Sequence, residues 1–515
     1  MTPAPTFGQL LATQARLQPD RVGARDLERE MSFRLWNERA NRLANALLGL
    51  GLAKGGRVGV LAYNRVEWVE IYGAAAKAGL VAVPLNFRLT APECRYILQD
   101  CSVAAVIAED ALSGVIDEIR GDLDLPAARF IRIGGAAPGW RDYEDLIAAA
   151  TTQAPDVQVA AADPWCLMYT SGTTGAPKGA IRGHGGMTML GLMTDVELGF
   201  ARRDEGLLVM PMCHANSLNF FTSFLTCGAA TSIFSRPSFD PELCLRTFAE
   251  TGATFTSLVP THYEMMLETP RPAGDFGRVE KLMVSSAPAR VETKRRVMEM
   301  FPNSGLFELY GSTEAGWVTM LHPDEQFDQL GTVGREVAGS LPIRLLDDDG
   351  NEVPDGEAGE LYSSGPYAFD GYWNLPEKTA EAFRGDYLSV GDVAIREPDG
   401  YIRLIDRKKN LIITGGENVY PTEVEAALAA HPAIRDVAVV GRPDDKWGER
   451  IAAAVVLTEG AEVDADALID WSRGRLAGFK RPREILFLNA GEMPRTATGK
   501  IMHRSLRDLF ENRQE

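Results

Sequence analysis

Short apolar runs alternate with amphipathic stretches through the first 330 or so residues, and this rhythm constrains the fold more than any other feature of the chain. "GRVGVLAYN" (56–64) and "LVAVPLN" (80–86) read as buried strands, and "RVEWVEIYGAAAKAG" (65–79) lies between them with helical spacing. "AAVIAED", "RFIRIGG", "EGLLVMPM" and "AATSIFS" continue the series, with helix-length segments such as "PELCLRTFAETG" among them. Strand–helix–strand units of this kind bury both faces of a mainly parallel sheet. The fold class expected is therefore α/β, with a large N-terminal domain of two βαβ-type subdomains. From about 330 the texture changes. "GTVGREVAGSLPIRLLDDDGNEVPDGEAGELYSSG" (331–365) has short alternating strands and Asp-Gly turns, which predicts an antiparallel β subdomain over about 330–405. A compact α+β domain is expected over 411–515. Its helix "YPTEVEAALAAHP" carries a possible capping box from Thr422 to Glu425, strands follow at "IRDVAVVGRP" and "ERIAAAVVL", and a second helix is expected at "DADALIDWSRGRLAG".

A chain of 515 residues exceeds one compact core. The net charge of −18 argues against general nucleic-acid binding but leaves room for a local basic site. The N-terminus lacks the basic start and apolar stretch of a secretion signal, and no apolar run reaches the roughly 18 residues that cross a bilayer. The six cysteines are scattered with no C-x-x-C pair, so buried thiols are expected rather than disulfides or a metal site. The reducing cytoplasm is the expected setting.

"YTSGTTGAPKGA" (169–180) follows the apolar run "PWCLMY" and leads into a second strand. Read from its residues alone, it is either a surface turn or a loop that holds an anion. Glycines let backbone N–H groups approach an anion closely, the hydroxyls of Thr170, Ser171, Thr173 and Thr174 can donate to phosphate oxygens, and Lys178 adds a positive charge. It is not a G-x-x-x-x-G-K-[ST] loop, because Pro177 precedes the lysine and Gly179 follows it.

The whole string resembles the signature T-S-G-T-T-G-x-P-K-G of the adenylate-forming superfamily, and every fixed position matches. "AKAGLVAVPLN", "YGSTE" (310–314), "GYWNLPEKT", Gly391-Asp392, "DRKKNLIITGGENVYPTEVE" and "PRTATGK" (494–500) resemble further family motifs in the family's order, so the likeness covers nearly the whole chain. It implies an AMP-forming acyl- or aryl-CoA synthetase using ATP, Mg²⁺ and coenzyme A. It also implies a hinge at 406–410, around Lys409, between domains 1–405 and 411–515, the second of them mobile.

Carried over residue by residue, the resemblance places the β- and γ-phosphates on Thr170, Ser171, Gly172, Thr173, Thr174, Gly175 and Lys178. Ala287, Pro288, Glu308, Leu309, Tyr310, Gly311, Ser312 and Thr313 would surround adenine and the α-phosphate, with Glu314 on Mg²⁺. Asp392 and Arg407 would take the ribose and phosphate. Here the chain departs from the family, with Val390 where a threonine usually precedes Gly-Asp. Lys500 would bridge the acid carboxylate and the α-phosphate. Gly415, Gly416 and Glu417 would pass the pantetheine arm. His214, Ser217, Val259, Pro260, Thr261, Ser286 and Trp317 would form the acyl pocket, with His214 at the carboxylate approach.

Met, Leu and Phe around 210–225 predict an apolar aliphatic (fatty) or aromatic acid. An alternative is a stand-alone enzyme that loads an acyl carrier protein. Amino-acid loaders usually carry an aspartate near "CHANSLNFFT", which has no carboxylate. A non-catalytic nucleotide sensor is a third reading, disfavoured by the intact Lys178, Glu314 and Lys500. The expected partners are small molecules, with a monomer or homodimer and no nucleic acid.

Overall fold

The computed structural model describes residues 4–170, 177–415, 417–489, 491–495 and 501–512. Its contacts divide the chain into two compact units. Unit one comprises 1–330, 335–342 and 363–388, and unit two comprises 331–334, 343–362 and 389–515. This division differs from a boundary near 405. Strand Asp392–Arg396 pairs with Ile402–Arg407 and with the start of Ala358–Ser364, and these ladders draw 343–362 and 389–405 into unit two.

Unit one contains two mainly parallel sheets. In the eight-stranded sheet, Arg57–Leu61, Val81–Pro84, Ala105–Glu109 and Phe130–Ile133 are parallel neighbours. Pro164–Thr170 joins the edge beside Val81–Pro84 in parallel, and Lys178–Gly183 and Gly371–Tyr372 extend it antiparallel. The nine-stranded sheet runs parallel through Ala230–Ile233, Glu205–Leu208, Phe255–Leu258, Lys281–Ser285 and Gly305–Ser312, then turns back in Gly316–Leu321. The expected α/β class with two wound subdomains therefore holds.

Helices pack between the sheets because their apolar faces can be buried only there. Phe7 stacks on Trp165 at 4.3 Å between ring centroids and meets Phe221 at 5.2 Å, so one aromatic cluster joins the N-terminal helix, the first sheet and the helix Ala215–Cys227. One buried carboxylate shows how charge is held inside. Glu70, fully buried, accepts from Arg39 at 2.7 Å and from the Tyr143 hydroxyl at 2.7 Å.

Unit two ends in a five-stranded sheet. Ile434–Asp444 and Gly448–Leu457 form a long antiparallel pair, and Glu484–Leu488 lies parallel to the second of them. The helix Pro421–Ala429 packs on it through Val424 and Leu428. The expected capping box is absent. Tyr420 holds the cap position without a side-chain bond. The Thr422 amide instead donates to Asp406 at 3.3 Å, and Glu425 accepts from the Val439 amide at 2.8 Å. Long-range partners thus replace the local box. The second expected helix is shorter than predicted, Ala465–Ser472, because Arg473 turns extended. No helix among the described residues is long and apolar enough to cross a membrane.

Candidate functional site

Thr170 and Lys178 face each other on the paired strands Pro164–Thr170 and Lys178–Gly183, on either side of 171–176. Ser171, Gly172, Thr173, Thr174 and Gly175 lie outside the described residues. The base of the loop is braced: Tyr169 donates to Asp100, and the Trp373 amide donates to Gly179 O at 2.7 Å.

A second tight feature faces it. Strands Gly305–Ser312 and Gly316–Leu321 are joined by a turn that carries Thr313 and Glu314. A Cβ on Gly311 would stand 2.2 Å from Gly316 O, and Gly316 has φ +73°. Only glycine serves at both positions. Arg182, 2% exposed, reaches in from the hairpin and donates to Thr313 O at 2.6 Å. Burial works against its charge and brings its pKa down to about 10, with Asp370 and Glu314 opposing the fall. Partial desolvation raises Asp370, which is exposed, and Arg182 opposes the rise.

Glu314 is 8% exposed and is where these features meet. The Tyr372 hydroxyl donates to its carboxylate at 2.9 Å and Thr170 Oγ1 lies at 3.4 Å from the same oxygen. Lys178 Nζ sits 4.2 Å from the centre of the Tyr372 ring. An enclosed carboxylate held by neutral hydroxyls, with an ammonium close by, fits a divalent cation that keeps most of its other ligands on water and phosphate. Among the described residues no three Asp, Glu, His or Cys side chains gather into an all-protein metal cage.

The other expected nucleotide residues fall in varied surroundings. Tyr310, Gly311, Ser312 and Thr313 are half-buried on the same strand and turn, and Ala287 and Pro288 are exposed beyond the strand Lys281–Ser285. Leu309 is buried. The Glu308 carboxylate is buried against the Lys294 ammonium.

On the acyl side, His214 caps the helix Ala215–Cys227, and its Nε2 lies 3.4 Å from Asn86 Nδ2. Ser286 has φ +70°, an uncommon backbone for serine that marks a functional candidate. Val259 and Pro260 start the helix Pro260–Glu268, and Thr261 is exposed. Two residues expected in the pocket have partners inside the fold. Ser217 is fully buried and its hydroxyl donates to Met210 O at 2.6 Å. Trp317 belongs to the core, its N–H donating to Thr194 Oγ1 at 2.9 Å and its ring 5.2 Å from that of Phe220.

In unit two, Asp392 and Arg407 are brought together at 2.9 Å on paired strands. Beside Val390, the Ser389 hydroxyl accepts from the Gly391 amide at 3.0 Å and donates to Glu360 at 2.7 Å. Lys409 lies in the short 3₁₀ turn Lys408–Asn410. Gly415 has φ +62°, its amide donates to Trp447 O at 2.7 Å, and a Cβ there would meet the indole at 2.9 Å. Glu417, exposed, opens the strand Glu417–Val419, while Gly416 and Lys500 lie outside the described residues.

Arg182, Asp370 and Tyr372 escaped the sequence reading. Tyr372 stands inside a motif that reading quoted, but nothing local signals that its hydroxyl reaches residue 314.

Two family descriptions match the sequence. One described as AMP-binding enzyme matches residues 11–373, and one described as AMP-binding enzyme C-terminal domain matches 423–500. The chain belongs to the AMP-binding enzyme family. It is 33% identical over 500 residues to an indoleacetate–CoA ligase of Aromatoleum aromaticum, covering 96% of each chain. It is 34% identical over 506 residues to a feruloyl-CoA synthase of an Amycolatopsis species, covering 98% of this chain and 99% of the other. Among solved structures it resembles the O-succinylbenzoate coenzyme A synthetase MenE of Bacillus subtilis in complex with ATP and magnesium. The TM-score is 0.85 at 25% identity, over 97% of this chain and 99% of that one.

Proposed function

We propose that this chain is an AMP-forming acid–CoA ligase acting on an aromatic or aliphatic carboxylic acid in the cytoplasm. In the first step the acid's carboxylate oxygen attacks the α-phosphorus of ATP. The bond to the bridging oxygen of the β-phosphate breaks, and pyrophosphate leaves with that electron pair. In the second, the CoA sulfur, having given up its proton, attacks the acyl carbon and AMP departs.

The observation that supports this most is the meeting of Thr170 and Tyr372 at the Glu314 carboxylate, with the Lys178 ammonium against the Tyr372 ring. Mg²⁺ would be held by Glu314 and would offset phosphate charge when bound. Lys178 and the 171–176 loop would bind the terminal phosphates, which lets pyrophosphate depart with little covalent help from protein. Thr313 would donate to the α-phosphate, and Tyr310 would lie against adenine. Asp392 would accept from the ribose hydroxyls, Arg407 would neutralise phosphate, and Lys500 would draw the acid and α-phosphate together. Gly415 and Gly416 would admit the pantetheine arm.

Purified protein with ATP, Mg²⁺ and a panel of short, long and aromatic acids is expected to release pyrophosphate, and to consume CoA thiol only when acid is present. Failure with every acid would overturn the reading. Lys500→Ala is expected to lose acyl-AMP formation by about 10²–10³ while still making thioester from supplied acyl-AMP. Equal loss of both half-reactions would remove Lys500 from the first step.

A further inference from the structure

Asn216, the second residue of the helix Ala215–Cys227, makes a three-way polar junction with two buried serines. Its Nδ2 donates to Ser257 Oγ at 3.0 Å and to Ser285 Oγ at 2.9 Å, and the two hydroxyls lie 3.1 Å apart. Its Oδ1 is buried and, among the described residues, accepts no hydrogen bond. Reversing the amide does not cure this. The observed orientation satisfies two amide hydrogens and one hydroxyl hydrogen. The reverse would satisfy only two hydroxyl hydrogens and strand both amide hydrogens.

The location is informative. Ser257 and Ser285 sit at the carboxyl ends of neighbouring parallel strands, Phe255–Leu258 and Lys281–Ser285, where open α/β sheets bind ligands. Asn216 lies two residues beyond His214, and Ser285 directly precedes the left-handed Ser286. Leaving a buried amide oxygen without a donor is unfavourable, and a ligand that donates to it recovers the loss. The serines fix the amide plane, so the acceptor is aimed before any ligand arrives.

We infer that Asn216 is a specificity residue whose amide oxygen accepts a hydrogen bond from the acid substrate, so that the preferred acids carry an O–H or N–H donor on an otherwise apolar body. This rests on the acid–CoA ligase reading and narrows its substrate class. A site built around a hydrogen bond rejects an analogue that lacks it far more strongly than an apolar pocket rejects a missing methylene.

The test uses aromatic acids bearing a phenolic hydroxyl at each ring position, or a ring N–H, against their O-methyl, N-methyl and unsubstituted forms. Binding is read by calorimetry on the full chain and turnover by pyrophosphate release. The best donor-bearing acid should exceed its donor-less counterpart by about tenfold or more in both. Asn216→Leu should bring that ratio close to one. Ser285→Ala, which loosens the amide without removing it, should lower it in part and serves if the first variant does not fold. Equal binding of matched acids by the unaltered protein would overturn the inference. So would a variant that weakens all acids alike and keeps the ratio, which is the mark of a merely structural asparagine. Turnover without preference sinks the donor inference and leaves the ligase standing. Preference in binding without pyrophosphate release from any acid sinks the ligase and leaves the donor.

Discussion

Arg182 shows how a buried charge can serve a site it need not touch. Its guanidinium holds Thr313 O and thereby the turn on which Glu314 stands. Arg182→Leu should leave acid binding measured by calorimetry intact, but raise the Mg²⁺ concentration needed for half-maximal pyrophosphate release and lower the rate at saturation. An unchanged Mg²⁺ dependence would show that the turn keeps its shape without it. Asp370→Asn, at an exposed carboxylate, should change stability in chemical denaturation by no more than about 1 kcal/mol. At this scale the sequence is legible where chemistry is local. The glycines and hydroxyls between Thr170 and Lys178 narrow that run to a surface turn or an anion loop, and its match to a family signature favours the second. Partners that meet only through space are not announced. Ser217 and Asn216 are adjacent polar residues, and only the phase of the helix decides that the first turns inward to a carbonyl and the second joins the two serines.

Among the elements, the Gly305–Leu321 hairpin is the least forgiving. Gly311→Ala would press a methyl against Gly316 O, so pyrophosphate release should be lost while circular dichroism still reports a folded chain. The helix Pro421–Ala429 supplies a pH-dependent case. Burial raises Glu425 to about 7, against an ordinary carboxyl near 4.5. The fold therefore favours its protonated form, and the associated stability is complete below about 4.5 and is lost as pH climbs through 7. Chemical denaturation between pH 5 and 8 should show declining stability, and Glu425→Gln should flatten that decline. A slope unchanged in the variant would assign it to other groups. Strands and helices of the parallel sheets were readable because apolar periodicity reports burial directly. The cap at Thr422 was not, because Asp406, sixteen positions earlier, takes the bond that a local box would have made.

For the whole molecule, the informative fact is that neither unit is one continuous stretch of chain. Composition could not locate the division, since the β strands after 330 look alike whichever unit they join. Around the proposed hinge, the Lys408 amide donates to Gly391 O at 2.8 Å, and Asn410 donates to Asp406 at 3.0 Å. If the chain must rotate at Lys409 between the two half-reactions, Lys409→Pro, which fixes φ near −65°, should spare acyl-AMP formation and slow thioester formation by about tenfold or more. Equal effects on both steps would place the pivot elsewhere.

The two-residue strand Gly371–Tyr372 completes the eight-stranded sheet some 190 residues after its neighbour Lys178–Gly183 is made. A nascent chain must therefore wait on the ribosome with that edge uncovered and Glu314 lacking its tyrosine. Release before residue 372 would leave a strand edge open to pairing with other chains, so premature termination in this region should yield aggregates rather than a partly active enzyme.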